Sequence, residues 1–184
     1  MRAGEIRHRA ELLELDGDLQ ERCLGKVWVG IITQENAAPA APAGLRNPIR
    51  VDIRARYNPS IIIGRYLRHD QRLFHVTSVR DPIGTRAELR VTADELMGTP
   101  GQVIRQRQAP KCCRVFLAFD VPYVSPDSDQ VPVLRIYGEV ALIEAGRVEQ
   151  GDILVVGRDR YCVLWLAADS DDGVVRGLWL EKVS

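Results

Sequence analysis

From Ile49 to Tyr57 the chain alternates without a slip. Ile49, Val51, Ile53, Ala55 and Tyr57 form one set, and Arg50, Asp52, Arg54 and Arg56 stand between them. Successive side chains of a β-strand point to opposite sides, so this order makes one apolar face and one charged face. Wound into a helix, the same residues would scatter around the circumference and build no buried stripe. The segment reads as a half-buried strand, ended by Asn58-Pro59.

The same period recurs along the chain, and helical periodicity is scarce. The opening MRAGEIRHRAELLEL starts basic and becomes an apolar strand-like run, followed by a strand around Val27–Ile32. Leu73–Val79 and Ala87–Thr92 flank Asp81-Pro82-Ile83-Gly84, which has the chemistry of a hairpin turn. Thr92–Met97 is expected to add a short helix or a tail. Beyond it, strands are expected at Cys113–Val121, Val133–Ile143, Ile153–Val156, Tyr161–Leu166 and Val174–Val183. The fold class is all-β.

Two stretches interrupt the pattern. Thr33–Pro48 (TQENAAPAAPAGLRNP) is dominated by alanine and proline and reads as a long flexible loop inside the first domain. Gly98-Thr99-Pro100-Gly101 marks a boundary, and the polar run to Pro110 extends it. The expected division is a first domain over residues 1–97, a linker over 98–110 and a second β-rich domain over 111–184, each a small β-barrel or sandwich. At a constant offset of 87, Leu67 aligns with Leu154, Phe74 with Tyr161, Val76 with Val163 and Val79 with Leu166. Either one small barrel has been duplicated, or two unrelated hairpins share a glycine, a tight turn and an aromatic.

Composition narrows the function classes. No apolar run approaches the roughly 18 residues of a membrane-spanning helix. Charges interrupt the N-terminus too often for a signal peptide, so a soluble cytoplasmic protein is expected. Cys23, Cys112, Cys113 and Cys162 have no CxxC spacing and read as free, mostly buried thiols. The formal net charge of zero hides a division: residues 1–110 carry 17 basic and 13 acidic groups, and residues 111–184 carry 8 and 12. Each half then faces something of opposite sign or differs by chance.

Catalysis finds no foothold in the sequence. His8, His69 and His75 show no metal-binding spacing, and no nucleophile elbow, Walker loop or dinucleotide fingerprint is present. Asp169–Gly173 lacks the spacing and closing glutamate of an EF-hand and reads as a solvated hairpin loop. No catalytic residue, metal or cofactor is expected. The arginines are more informative. Residues 46–90 hold ten arginines against Asp52, Asp70, Asp81 and Glu88. Arg50, Arg54 and Arg56 share a strand face, and Arg65, Arg68 and Arg72 surround the next turn, with Tyr66 the candidate aromatic on that face. Such a face suits phosphates, which would make the chain a monomeric two-barrel nucleic-acid-binding protein. It equally suits acidic groups on a neighbouring subunit, because arginine favours planar ion pairs at interfaces.

Taken in order, several pieces resemble the phage head–tail joining (head-closure or stopper) protein family over residues 1–97. They are MRAGEIRHR, Trp28 after a short turn, the strand VDIRARY, the segment Ile61–Arg65, Phe74–Val79, and the Asp-Pro-x-Gly turn leading into Glu88–Val91. Residues 98–184 lie outside the resemblance. It implies a homo-oligomeric ring of about six or twelve copies, with a portal or adaptor protein on the head side and a tail terminator or tail tube on the tail side. Packaged DNA would occupy the lumen without sequence preference, and no membrane is involved. Such a protein closes the DNA channel after packaging and docks the tail, so it resides in the virion after assembly in the host cytoplasm. Met1, Arg2, Arg7 and Arg9 would contact a neighbouring subunit or ring. Thr33, Gln34, Glu35, Asn36, Ala40, Gly44 and Arg46 would belong to a loop facing the channel or the next ring. Arg50, Arg54, Arg56, Arg65, Arg68 and Arg72 would face the DNA or an adjacent subunit.

Overall fold

In a computed structural model, residues 6–32, 44–124 and 132–183 are described. The chain forms two compact units, Met1–Met97 and Gly98–Ser184. The first contains β1 (His8–Leu15), β2 (Glu21–Ile32), β3 (Arg46–Arg56), β4 (Tyr66–His69), β5 (Arg72–Arg80) and β6 (Glu88–Leu96). These pair in the order β1-β2-β3-β6-β5-β4 and close through β1 against β4. The second contains β7 (Thr99–Ile104), β8 (Lys111–Tyr123), β9 (Val133–Ala141), the one-turn helix α1 (Leu142–Ala145), β10 (Ile153–Val156), β11 (Asp159–Ala167) and β12 (Val175–Val183). It closes in the order β7-β8-β9-β12-β11-β10, and among the described residues the strand pairs of both barrels are antiparallel.

Three expectations are corrected. The segment 98–110 is not a linker: it supplies β7, which pairs with both β8 and β10 and closes the second barrel. Thr92–Met97 is neither helix nor tail, because β6 runs to Leu96 between β3 and β5. The thiols are not mostly buried: Cys23 and Cys112 are exposed, Cys162 is intermediate and Cys113 alone is buried.

The cores follow from the alternation. Val51, Ile53 and Ala55 of β3 point inward with Leu12, Val29, Leu67, Phe74, Val76, Val91 and Ala93. The second core gathers Val103, Val115, Val140, Leu154, Tyr161, Val163, Leu178 and Leu180. Burying such side chains is the main stabilisation available to a small barrel, since each contributes about 1.5–3 kcal/mol on leaving water.

The barrels are one topological unit written twice. Strand orders coincide element by element, with β7 in the place of β1 and β12 in the place of β6. The correspondence reaches single hydrogen bonds. Gly64 and Gly151 both adopt φ near +88°, where glycine is favoured over residues bearing a Cβ. The Gly64 amide donates to the Val76 carbonyl at 2.9 Å, and the Gly151 amide to that of Val163 at 2.8 Å. The Val76 amide returns a bond to Arg65 O at 2.8 Å, as Val163 does to Asp152 O at 2.9 Å. Register breaks fall at matching places too, between Val76 and Ser78 and between Val163 and Trp165.

Two ion pairs recur at matching positions with their signs exchanged. Arg65 Nη2 lies 2.9 Å from Glu14 Oε1 in the first barrel. In the second, Asp152 holds the place of Arg65 and Arg105 that of Glu14, and Arg105 Nε lies 3.4 Å from Asp152 Oδ2. Likewise Arg72 Nε meets Glu95 Oε1 at 2.6 Å, and its counterpart is Asp159 Oδ1 with Lys182 Nζ at 2.8 Å. The position of each bridge is kept while each polarity is inverted.

Candidate functional site

The outer wall of the first barrel disposes of the predicted arginines in two ways. Arg65, Arg68 and Arg72, expected to face DNA or an adjacent subunit, are each held by carboxylates of their own barrel. Arg65 donates to Glu14 and to the Ser60 carbonyl. Arg68 bridges Glu11 and Glu21, with both Nη atoms 2.8 Å from the Glu21 oxygens. Arg72 makes a two-pronged contact with the buried Glu95 and lies over the Phe74 ring at 4.8 Å. The Glu21 contact of Arg68 and the Glu95 contact of Arg72 raise their pKa values above the ordinary arginine range. Tyr66, expected on this face, is buried and packs against the His75 ring at 5.1 Å.

Arg50, Arg54 and Arg56 point outward, as the alternation of β3 requires. Arg50 is 75% exposed, and the nearest carboxylate oxygen to its Nε is Asp94 Oδ1 at 3.9 Å. Arg54 Nε lies 3.7 Å from Glu88 Oε1. Arg46, assigned above to the long loop, instead opens β3 and donates to Asp94 Oδ2 at 3.0 Å. Gly44 stands just ahead of it. Of the proposed N-terminal contacts, Arg7 and Arg9 are exposed, and Arg9 lies over Trp28 at 5.9 Å. Met1, Arg2, Thr33, Gln34, Glu35, Asn36 and Ala40 lie outside the described residues.

Sequence reasoning missed the other half of this wall. Arg54 of β3 stands directly opposite Arg90 of β6, which stands opposite Arg80 of β5. Three arginines thus form one row across three strands. The neighbouring row is Asp52, Thr92 and Ser78. Together with Arg50, Thr77 and Ile32 they line a depression of about 530 Å³, with Ile53 and Val91 behind it. Arg80 and Arg90 are exposed and, among the described residues, stand in no ion pair.

The equivalent wall of the second barrel has a different chemistry. Tyr137, Trp179 and Trp165 stand opposite one another where the first barrel has Asp52, Thr92 and Ser78. Tyr123 packs against both tryptophans, tilted at 5.2 Å from Trp165 and edge-on at 4.9 Å from Trp179, and Tyr137 meets Trp179 edge-on at 5.4 Å. The Arg135 guanidinium lies 5.0 Å from the Trp165 ring centre. Glu139 and Gly177 take the places of Arg54 and Arg90. A side chain on Gly177 would collide with Tyr137 Oη at 2.8 Å and Ser170 Cβ at 2.7 Å, so aromatic bulk fills this part of the wall. Tyr137 donates to Glu139 Oε1 at 2.9 Å, and burial pushes its phenol up to about 12. Beyond the aromatics, Phe119, Val124, Val133 and Leu134 are exposed along the β8–β9 hairpin. Exposed apolar side chains beside Trp, Tyr and Arg make the composition of a protein docking surface.

Among the described residues, no group of three His, Cys, Asp or Glu side chains is placed to hold a metal ion, and no helix is long and apolar enough to cross a membrane. No family model matches the chain, and no curated protein or solved structure is detectably similar to it.

Proposed function

We propose that the chain is a structural connector at the head–tail junction of a phage or prophage-derived particle. Copies of it would form a homo-oligomeric ring between a portal-side protein and a tail-side protein, closing the DNA channel after packaging. One observation carries this reading: a single closed barrel occurs twice in one chain, and the matching outer walls have opposite chemistry, arginine on one and aromatic on the other. A chain with two unlike docking walls on one repeated scaffold is suited to joining two unlike partners. The ordered motifs of residues 1–97 support the same reading from the sequence. On this view the chain carries out no reaction, Arg7 and Arg9 serve subunit contacts, and the aromatic wall serves a protein partner.

Cryo-electron microscopy of the particle encoding this chain, classified at the tail-bearing vertex, tests the proposal. A ring of this protein between head and tail components is the expected result. A vertex without it, with the protein free in the lysate, would sink the connector reading.

A further inference from the structure

We propose that the depression on the first barrel's outer wall binds the phosphodiester backbone of a nucleic acid, with Arg54, Arg80 and Arg90 as phosphate ligands. Residues directly opposite on antiparallel strands have Cα atoms only about 4.5–5.5 Å apart, and like charges so placed repel one another. The row therefore sets three guanidinium groups side by side, and their mutual repulsion works against the fold. Arg54 has Glu88 beside it, but Arg80 and Arg90 lack such a carboxylate among the described residues. An anion lying along the row removes the repulsion and makes charge-assisted hydrogen bonds with each fork.

The lining decides which anion. Ser78 and Thr92 place hydroxyls next to the arginines, and Arg50 stands 75% exposed at the rim. No aromatic side chain lines the depression, and its apolar members are Ile32, Ile53 and Val91, of which only Ile32 is exposed. A docked protein would need buried aromatic or aliphatic anchors at the centre of its interface, and this floor has none to offer. Nor is there a platform on which a base could stack, so the site reads backbone charge and not sequence. Asp52 is the one carboxylate in the lining and opposes an anion there. The inference does not require the connector reading, and a ring lacking nucleic-acid affinity would overturn this one alone.

The test is fluorescence anisotropy of a mixed-sequence DNA duplex with the full chain across a salt series. Three phosphate contacts give a slope of log affinity against log salt of about −2.7, and removing two gives about −0.9. The double substitution Arg80→Gln/Arg90→Gln should weaken binding at low salt about tenfold or more. Asp52→Asn should strengthen it several-fold, an effect in the opposite direction that a folding defect could not produce. Absence of binding, binding flat in salt, or a double variant that binds like the parent would each overturn the proposal. Displacement of the duplex by polyglutamate at equal charge would do so too, in favour of an acidic protein partner.

Discussion

The wall built from β3, β6 and β5 and the wall built from β9, β12 and β11 hold matching places on two barrels of one topology and differ in their chemistry. In the first barrel the row Arg54–Arg90–Arg80 leaves a charged hollow beside Ser78 and Thr92. In the second, Trp165, Trp179 and Tyr137 fill the matching ground and Gly177 gives way to them. Inward positions stayed alike: Phe74 and Tyr161, Val76 and Val163, Leu67 and Leu154 are all buried. A closed barrel separates these demands, because alternate residues of every strand belong to different worlds.

The comparison breaks most visibly at the core. Phe74→Ala and Tyr161→Ala empty equivalent sites, and each is expected to cost about 3–5 kcal/mol. Amide exchange should show the loss of protection confined to the substituted barrel. Equal loss in both would mean that the repeats are not separate cooperative units.

Next in size is the inverted bridge of the second barrel. Arg105 and Asp152 are 11% and 13% exposed at the side chain, so Arg105→Glu sets two carboxylates against each other with little water. A loss of about 3 kcal/mol is expected, with most of it recovered on adding Asp152→Arg. Denaturant titration of the two variants reads this directly; no recovery would show that the bridge matters only for its packing.

Alkaline pH separates the barrels first at one position. Val27 stands where the second barrel has Cys113, whose thiol burial pushes up to about 12. The unfolded chain releases that proton near the ordinary thiol value of about 9. Between about pH 9 and 12 the folded state holds more protons than the unfolded one, so stability falls as pH rises through this window. The deficit from Cys113 is roughly 2–3 kcal/mol at pH 11, and Tyr137 adds to it from about pH 10 upward. Melting curves of Cys113→Val against the parent at pH 8 and pH 11 should show the variant losing less.

The smallest effect sharpens the contrast between walls. Relieving the arginine row with Arg90→Thr should stabilise the first barrel by about 0.5 kcal/mol while weakening any phosphate binding. A destabilised variant would mean that Arg90 supports the fold through packing of its stem.

How much of this could be read beforehand varies by element. β3 was legible because one of its faces is core and the other is not. β4 was missed because Tyr66–His69 has only four residues, and two of them are Arg68 and His69. β7 was missed because Pro100 and Gly101 look like punctuation, although Pro100 sits near the start of a strand that pairs with Arg114. The repeat was visible as an offset, but its confirmation lay in matched hydrogen bonds and bulges. The arginines were grouped by strand, whereas the barrel groups them by row. Arg80 and Arg90 therefore went unnoticed, and the carboxylates claiming Arg65, Arg68 and Arg72 come from β1, β2 and β6.

The exchanged signs of the two bridges bear on how a tandem repeat avoids folding into its neighbour's place. Suppose β10 replaced β4 beside β1: Glu14 would face Asp152. The reciprocal error would set Arg105 against Arg65. Exchanging β11 for β5 would oppose Asp159 to Glu95 and leave Arg72 facing Lys182. All four mixed combinations are like-charged, and all four native ones are opposite. The bridges then act as a parity check on strand assignment, penalising hybrids that matched cores would otherwise accept. Recoding the first barrel with Glu14→Arg/Arg65→Asp keeps its own bridge but erases the part of this check carried by β4 and β10, and refolding should then yield more strand-exchanged dimer by size-exclusion chromatography. An unchanged monomer yield would assign the inversion to drift.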